Sequence, residues 1–145
     1  MTVCLQSEPF DVAHELKLLV GDEVGAVASF VGHVRGTGGL VELFLEHHER
    51  LTPAGLAAVE QDTMRRWALC GLTIIHRVGA LVPDDAIVLV AASSAHRADA
   101  FAAVEFAIDR LKTEVPLWKR ERFANGEARW VEPRDDDAER AARWG

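Results

Sequence analysis

The chain holds three lysines, Lys17, Lys112 and Lys119, beside thirteen arginines. In a sequence that prefers Arg so strongly, a retained Lys points to amine chemistry that a guanidinium cannot perform. Lys112 and Lys119 stand seven residues apart in the run Leu111-Lys112-Thr113-Glu114-Val115-Pro116-Leu117-Trp118-Lys119. The first closes a helical pattern and the second enters a strand pattern after the Pro116 break, so two amines can converge on one cleft. A lysine that is partly desolvated and close to another cation loses proton affinity and becomes a nucleophile or an acid–base group. The plainer account also stands at this point: Lys112 complements a helix C-terminus and Lys119 is a solvated strand residue.

Anion chemistry has two candidate places. Ser94-Ala95-His96-Arg97 falls where a strand pattern ends and the clearest helix pattern begins. Unpaired N–H groups and the helix dipole would there be joined by two side-chain donors for phosphate or carboxylate. Arg35, in Gly32-His33-Val34-Arg35-Gly36, sits at a strand end and can clamp an anion, although no GxGxxG or GxxxxGK(S/T) pattern supports a nucleotide cradle. A capped helix and a hairpin loop, each carrying solvated basic residues, are the alternative readings. Six histidines are present, yet no HExxH, Cys/His or facial-triad spacing occurs, and His47 and His48 point to opposite faces of a strand. No GxSxG elbow marks a serine nucleophile. The spacing predicts a site without a metal ion.

At 145 residues the chain has room for one domain, which should bury about two-thirds of its unfolded surface. Its 49% hydrophobic and 27% charged content is that of an ordinary globule. Sixteen basic against 23 acidic side chains leave a net charge of −7, which repels nucleic acid and requires any anion site to be local. Cys4 and Cys70 form neither a CxxC pair nor a disulfide framework, in keeping with a reducing compartment. No signal pattern opens the sequence and no apolar run approaches a membrane span of roughly 20 residues, so the reading is cytoplasmic.

These residues need elements to hold them. Val3 to Leu5 is a short apolar start, and Asp11 can cap a helix carrying Val12, Leu16, Leu19 and Val20, which Gly21 stops. Ala26 to Val34 and Leu40 to His48 read as strands around a glycine-rich loop, together a long hairpin. Thr52-Pro53 opens a helix that runs to about Trp67, before Cys70-Gly71. Leu72 to Val78 and Ala86 to Ala92 are β-rich runs about a turn at Pro83-Asp84-Asp85. The next helix is capped by Ser93 or Ser94 and turns Phe101, Val104, Ile108 and Leu111 to the core. Leu117 to Phe123 and Arg129 to Val131 are short strands around Asn125-Gly126, and Pro133 to Gly145 is a charged tail compatible with helix. No internal repeat or interdomain linker is visible. The irregular alternation of helices and strand pairs predicts an α+β domain rather than a doubly wound parallel sheet.

Six runs in order carry a resemblance: GAVASFVGHVRG (Gly25 to Gly36), VELFLEHHERLT (Val41 to Thr52), IIHRVGAL (Ile74 to Leu81), SSAHRADAF (Ser93 to Phe101), LKTEVPLWKRE (Leu111 to Glu121) and ARWVEPR (Ala128 to Arg134). Colinearly from about Glu23 to Arg134, the chain resembles the catalytic large-subunit family of molybdopterin synthase. The resemblance implies an α/β-hammerhead type of α+β domain and a sulfurtransferase of molybdenum cofactor biosynthesis. It implies that cyclic pyranopterin monophosphate is converted to molybdopterin with sulfur from the C-terminal Gly-Gly thiocarboxylate of a small ubiquitin-like subunit. No cofactor or metal of its own is implied, and the assembly would be a homodimer of this chain within a heterotetramer.

Residue by residue, the resemblance assigns Lys112 and Lys119 to the catalytic lysines and His96 with Arg97 to the substrate-anion pair. Arg35 matches the arginine after the first strand, Phe30 the aromatic before it, and Arg134 a late arginine that reaches the neighbouring subunit's site. The departure is His48, where relatives often carry Tyr; this chain has no tyrosine. On this reading Arg35, His96, Arg97 and Arg134 neutralise the substrate phosphate and the partner's carboxylate. Lys119 orients or protonates the pterin oxygen being displaced, and Lys112 stabilises charge at the thiocarboxylate carbonyl. The runner-up is a non-enzymatic anion-binding or adaptor module that keeps the fold and partner groove, although an adaptor needs neither amine. A phosphate-ester hydrolase is disfavoured by the missing metal ligands and nucleophile elbow.

Overall fold

The computed structural model describes residues 2–132 and 135–145. Among them the elements run β1 (Val3–Gln6), α1 (Val12–Leu18), β2 (Ala26–His33), β3 (Leu40–His47), α2 (Leu51–Arg66), β4 (Gly71–Arg77), β5 (Gly79–Leu81), β6 (Ala86–Ser94), α3 (Arg97–Glu114), β7 (Leu117–Phe123), β8 (Ala128–Trp130) and α4 (Asp135–Ala142).

Shielding sorts the strands into two sheets. β4 is buried along its whole length and β6 along most of it, as central strands of a sheet ordered β1-β4-β6-β2. In that sheet β1 joins β4 in parallel and the other pairings are antiparallel. β7 alternates half-buried and exposed residues, the pattern of a sheet with one wet face, and lies in an antiparallel second sheet ordered β5-β3-β7-β8. The architecture is α+β, as the element order implied.

α2 and α3 cover one face of the first sheet. Three cross-strand rows point into that layer: Ala28–Ala92–Leu72, Phe30–Val90–Ile74 and Gly32–Val88–His76. All of these residues except Phe30, Gly32 and His76 belong to one apolar core shared with the two helices. α1 covers the opposite face through a smaller cluster that includes Ile75 and Leu89. The second sheet packs Leu43, Leu45 and Leu81 against Val34. The two sheets therefore meet where β2 finishes.

β2 and β3 do not form the expected hairpin. β2 pairs with β6, whereas β3 pairs with β5 and β7. Between them Thr37–Gly39 makes a 3-10 turn in which Gly38 and Gly39 take φ of 69° and 80°, a left-handed backbone that glycine adopts freely. The turn delivers the chain from one sheet to the other.

Two helix starts also differ from expectation. α2 begins one residue before Thr52, and Thr52 is a buried pin: its Oγ1 accepts from the His48 N–H at 2.8 Å and donates to the Pro116 carbonyl at 2.6 Å. His48 Nδ1 accepts from the N–H groups of Arg50 and Leu51 at 3.2 and 3.0 Å, so this ring helps to cap α2. The N-cap of α3 is His96, with no side-chain cap bond. β6 runs further than its apolar pattern suggested and keeps both serines in the strand: Ser94 Oγ donates to the Ala68 carbonyl at 3.0 Å, and Ser93 Oγ is buried with no partner among the described residues. Phe101 is 65% exposed instead of core, because α3 approaches the sheet through Ala100, Ala103 and Ala107.

α4 and the residues after it lie against α3. Trp144 meets Trp67 and Phe106 edge-on, with ring centroids 5.8 and 5.6 Å apart, and its Nε1 donates to Asp109 Oδ2 at 2.6 Å. Arg143 donates to Asp109 at 3.2 Å and to Glu105.

Candidate active site

α3 follows β6 and runs back along it, so its last turn returns to the end of the first sheet where the second sheet begins. Val115 is extended (φ −96°, ψ 119°) and ends the helix. Residues before a proline disfavour the helical region, so Pro116 fixes this bend, and Thr52 holds its carbonyl. Lys112 occupies the last turn of α3. Lys119 stands opposite Leu45 of β3, on the side of β7 shared with the half-buried Leu117 and Glu121.

The structure brings the two amines together: Lys112 acts on Lys119 as a neighbouring charge and side chain. Two ammonium groups repel, so each makes the other easier to deprotonate. Burial is the largest cause lowering the Lys119 pKa from 10.5 to about 8, and the neighbouring Lys112 side chain adds to it. Asp137 of α4 and Glu121 pull the other way. Lys119 is thus a group that changes protonation near neutral pH.

Phe30 is 38% exposed, and its ring leans along β2 over Gly32, where an added Cβ would stand 3.3 Å from it. Glycine at 32 leaves that ring its place. Arg35 is exposed just beyond Val34, at the end of the first sheet nearest the amines. His96 and Arg97 do not join them within one chain. They are exposed at the opposite end of α3, and at 1.5 Å per residue the helix carries Arg97 about 22 Å from Lys112. Arg134, the remaining sequence candidate, lies outside the described residues.

One residue near the amines was not singled out by the sequence. His76 is 7% exposed in the third helix-facing row of the first sheet, and burial, with smaller contributions from Lys112 and Lys119, lowers its pKa to about 4 against the opposing backbone bond to Arg77. The available signal was a lone histidine closing the strand run Leu72-Thr73-Ile74-Ile75. Among the described residues no three His, Cys, Asp or Glu side chains converge as metal ligands would, and no helix is long and apolar enough to cross a membrane. A surface hollow of about 470 Å³ lies elsewhere, lined by residues 18–24, Leu69 to Gly71 and Ser93.

Residues 5–114 match the family model described as MoaE protein. The molybdopterin synthase catalytic subunit of Ralstonia nicotianae is 46% identical, over 99% of this chain and 84% of its own length. Among solved structures, the molybdopterin biosynthesis MoaE protein from Burkholderia ambifaria MC40-6 is similar with a TM-score of 0.84 at 42% identity, covering 99% of this chain and 97% of that one. Molybdopterin synthase from Staphylococcus aureus is similar with a TM-score of 0.79 at 34% identity, covering 88% and 95%. Sequence runs, sheet order and relatives agree, and the chain belongs to the MoaE family, whose curated relatives are catalytic subunits of molybdopterin synthase.

Proposed function

We propose that this chain is the catalytic subunit of a molybdopterin synthase, converting cyclic pyranopterin monophosphate to molybdopterin with sulfur from the thiocarboxylated Gly-Gly end of a small ubiquitin-like subunit. The observation that carries the reading is the closeness of the Lys112 and Lys119 side chains, with Lys119 half-buried on β7. An adaptor that only bound anions would gain nothing from an amine held near its titration point.

In the proposed reaction the thiocarboxylate sulfur attacks a pterin carbon and an oxygen leaves. Lys119 as ammonium gives that oxygen its proton. Water then attacks the acyl carbon, and Lys112 stabilises the negative charge on the carbonyl oxygen. Lys119, now a neutral amine, takes the proton from that water. The acyl–sulfur bond breaks, sulfur stays on the pterin and the partner keeps a carboxylate. Repetition with a second thiocarboxylate completes the dithiolene. The protein needs no cofactor of its own in this scheme.

Arg35 supplies an anion contact from the amine end of the molecule. With α3 holding His96 and Arg97 about 22 Å from Lys112, this pair serves the amine site of a second copy. A homodimer is therefore the working unit, carrying two small subunits as a heterotetramer in the cytoplasm, and Arg134 is assigned the same cross-subunit role. The decisive experiment mixes the purified chain with a thiocarboxylated small subunit and the cyclic pterin, and follows the dithiolene product by mass. Product that depends on all three components supports the assignment. Its absence, with a partner shown to be active elsewhere, favours the adaptor.

A further inference from the structure

His76 is the polar interruption of an otherwise apolar layer. It lies in the row Gly32–Val88–His76, which Leu5 of β1 extends, while Val88 packs in the core that includes Leu111 and Val115 at the end of α3. The ring therefore faces the layer in which α3 stops and β7 starts. Its Nδ1 lies 2.7 Å from the Arg77 carbonyl, which accepts only if Nδ1 carries the hydrogen, so Nε2 is left with its lone pair. Among the described residues no donor is bonded to Nε2.

We propose that His76 is a positioning residue for the lysine pair, its neutral ring presenting Nε2 as the hydrogen-bond acceptor that steadies the ammonium form of Lys119 through one bridging water. The proposal rests on the reading of that pair as the reaction centre. The charged groups around the ring come from several elements. Lys112 of α3 and Lys119 of β7 act on it as nearby charges, and Glu121 of β7 and Asp137 of α4 act on Lys119. The neighbouring Arg77 donates to the Ser7 carbonyl at 2.9 Å and stands 3.7 Å from Asp85. β1 and β6 present Leu5 and Val88, which carry no charge. The imidazole is thus the uncharged acceptor in a cluster where another cation would be repelled.

With three lysines in the chain, 13C-labelled lysine gives a titration spectrum that can be assigned residue by residue. In His76→Leu the Lys119 midpoint should fall from about 8 by about one unit, because a hydrogen bond to a charged group is lost. Turnover at pH 7.5 should drop about tenfold by the same loss. His76→Gln, whose amide can present an acceptor near the Nε2 position, should restore both. If His76→Leu does not fold, His76→Asn keeps a donor for the Arg77 carbonyl, lacks the outer acceptor and serves the same comparison. An unmoved Lys119 midpoint with turnover within twofold of the wild type would reduce His76 to packing and overturn the proposal. The titration needs neither partner nor pterin, so it decides the role of His76 even if the proposed reaction fails.

Discussion

Lys119 in β7 neighbours Lys112 at the end of α3, bringing together two groups that are both cations in water. A guanidinium keeps the charge of Lys112 but spreads it over a planar fork, so it does not reproduce the compact ammonium assigned to the carbonyl oxygen. Lys112→Arg should therefore abolish product formation, by about 100-fold or more, while the pterin still binds. Binding measured by calorimetry beside turnover with thiocarboxylated partner checks this. Full turnover by the variant would refute the role given to Lys112.

The same contact fixes the sign of a second effect. The Lys112 charge lowers the Lys119 pKa, so Lys112→Met should move the Lys119 midpoint upward from about 8 toward its ordinary 10.5. Lysine-selective NMR between pH 7 and 11 reads the shift. A midpoint that stays put would mean the two amines are not neighbours in solution.

His76 makes the fold acid-sensitive. Its folded pKa of about 4 lies below the ordinary 6.5, so between those values the unfolded chain binds a proton that the folded chain does not. Stability is then lost as pH falls from 6.5 toward 4, with a slope of up to about 1.4 kcal/mol per pH unit from this residue. Urea unfolding across that window should show a shallower slope for His76→Gln, and identical slopes would count against a buried neutral ring.

The length of α3 leads to a complementation experiment. Lys119→Ala and Arg97→Ala should each be inactive alone. After the two variants are unfolded together and refolded, mixed dimers should regain activity, because one of their two sites then has both Lys119 and Arg97. No recovery would place both residues in the site of a single chain, against the helix geometry.

Thr52 is a structural rather than chemical support of the same site. Its hydroxyl joins the His48 N–H to the Pro116 carbonyl, so Thr52→Val takes this partner from two half-buried groups and should destabilise the fold by about 1–3 kcal/mol. The bend that feeds Lys119 into β7 should loosen with it, lowering turnover more than pterin binding. Thermal unfolding and the two activity constants separate these effects.

Much of this arrangement is legible in the residues. Asp11 caps α1 through its Oδ1, which accepts from the His14 N–H at 3.1 Å, as a short polar residue before an apolar repeat implies. The strands of β4 and β6 show as continuous apolar runs because both are covered on two faces. The partners of β2 and β3 were not legible, since pairing is set by tertiary contacts and two neighbouring strands with a glycine loop look like a hairpin whichever sheets they enter. β5 is three residues long, too short for any periodicity. The two lysines stood out by type and spacing. His76 did not, because its meaning comes from the row it shares with Val88 and Gly32 across strands far apart in sequence. The separation of Arg97 from Lys112 needed only the helix length, yet a motif match treats residues as one set wherever the helix carries them.

The segment beyond β8 is held at both extremities. The Val131 N–H donates to the Lys119 carbonyl at 2.8 Å, and Trp144 is anchored on α3 through Asp109. Asp137 of α4 therefore acts on Lys119 as a charge supplied by the chain rather than by dissolved salt. With Asp137 and Glu121 of its own chain acting on Lys119, the chemistry of the amine pair should be less sensitive to ionic strength than that of two lysines left open to bulk electrolyte.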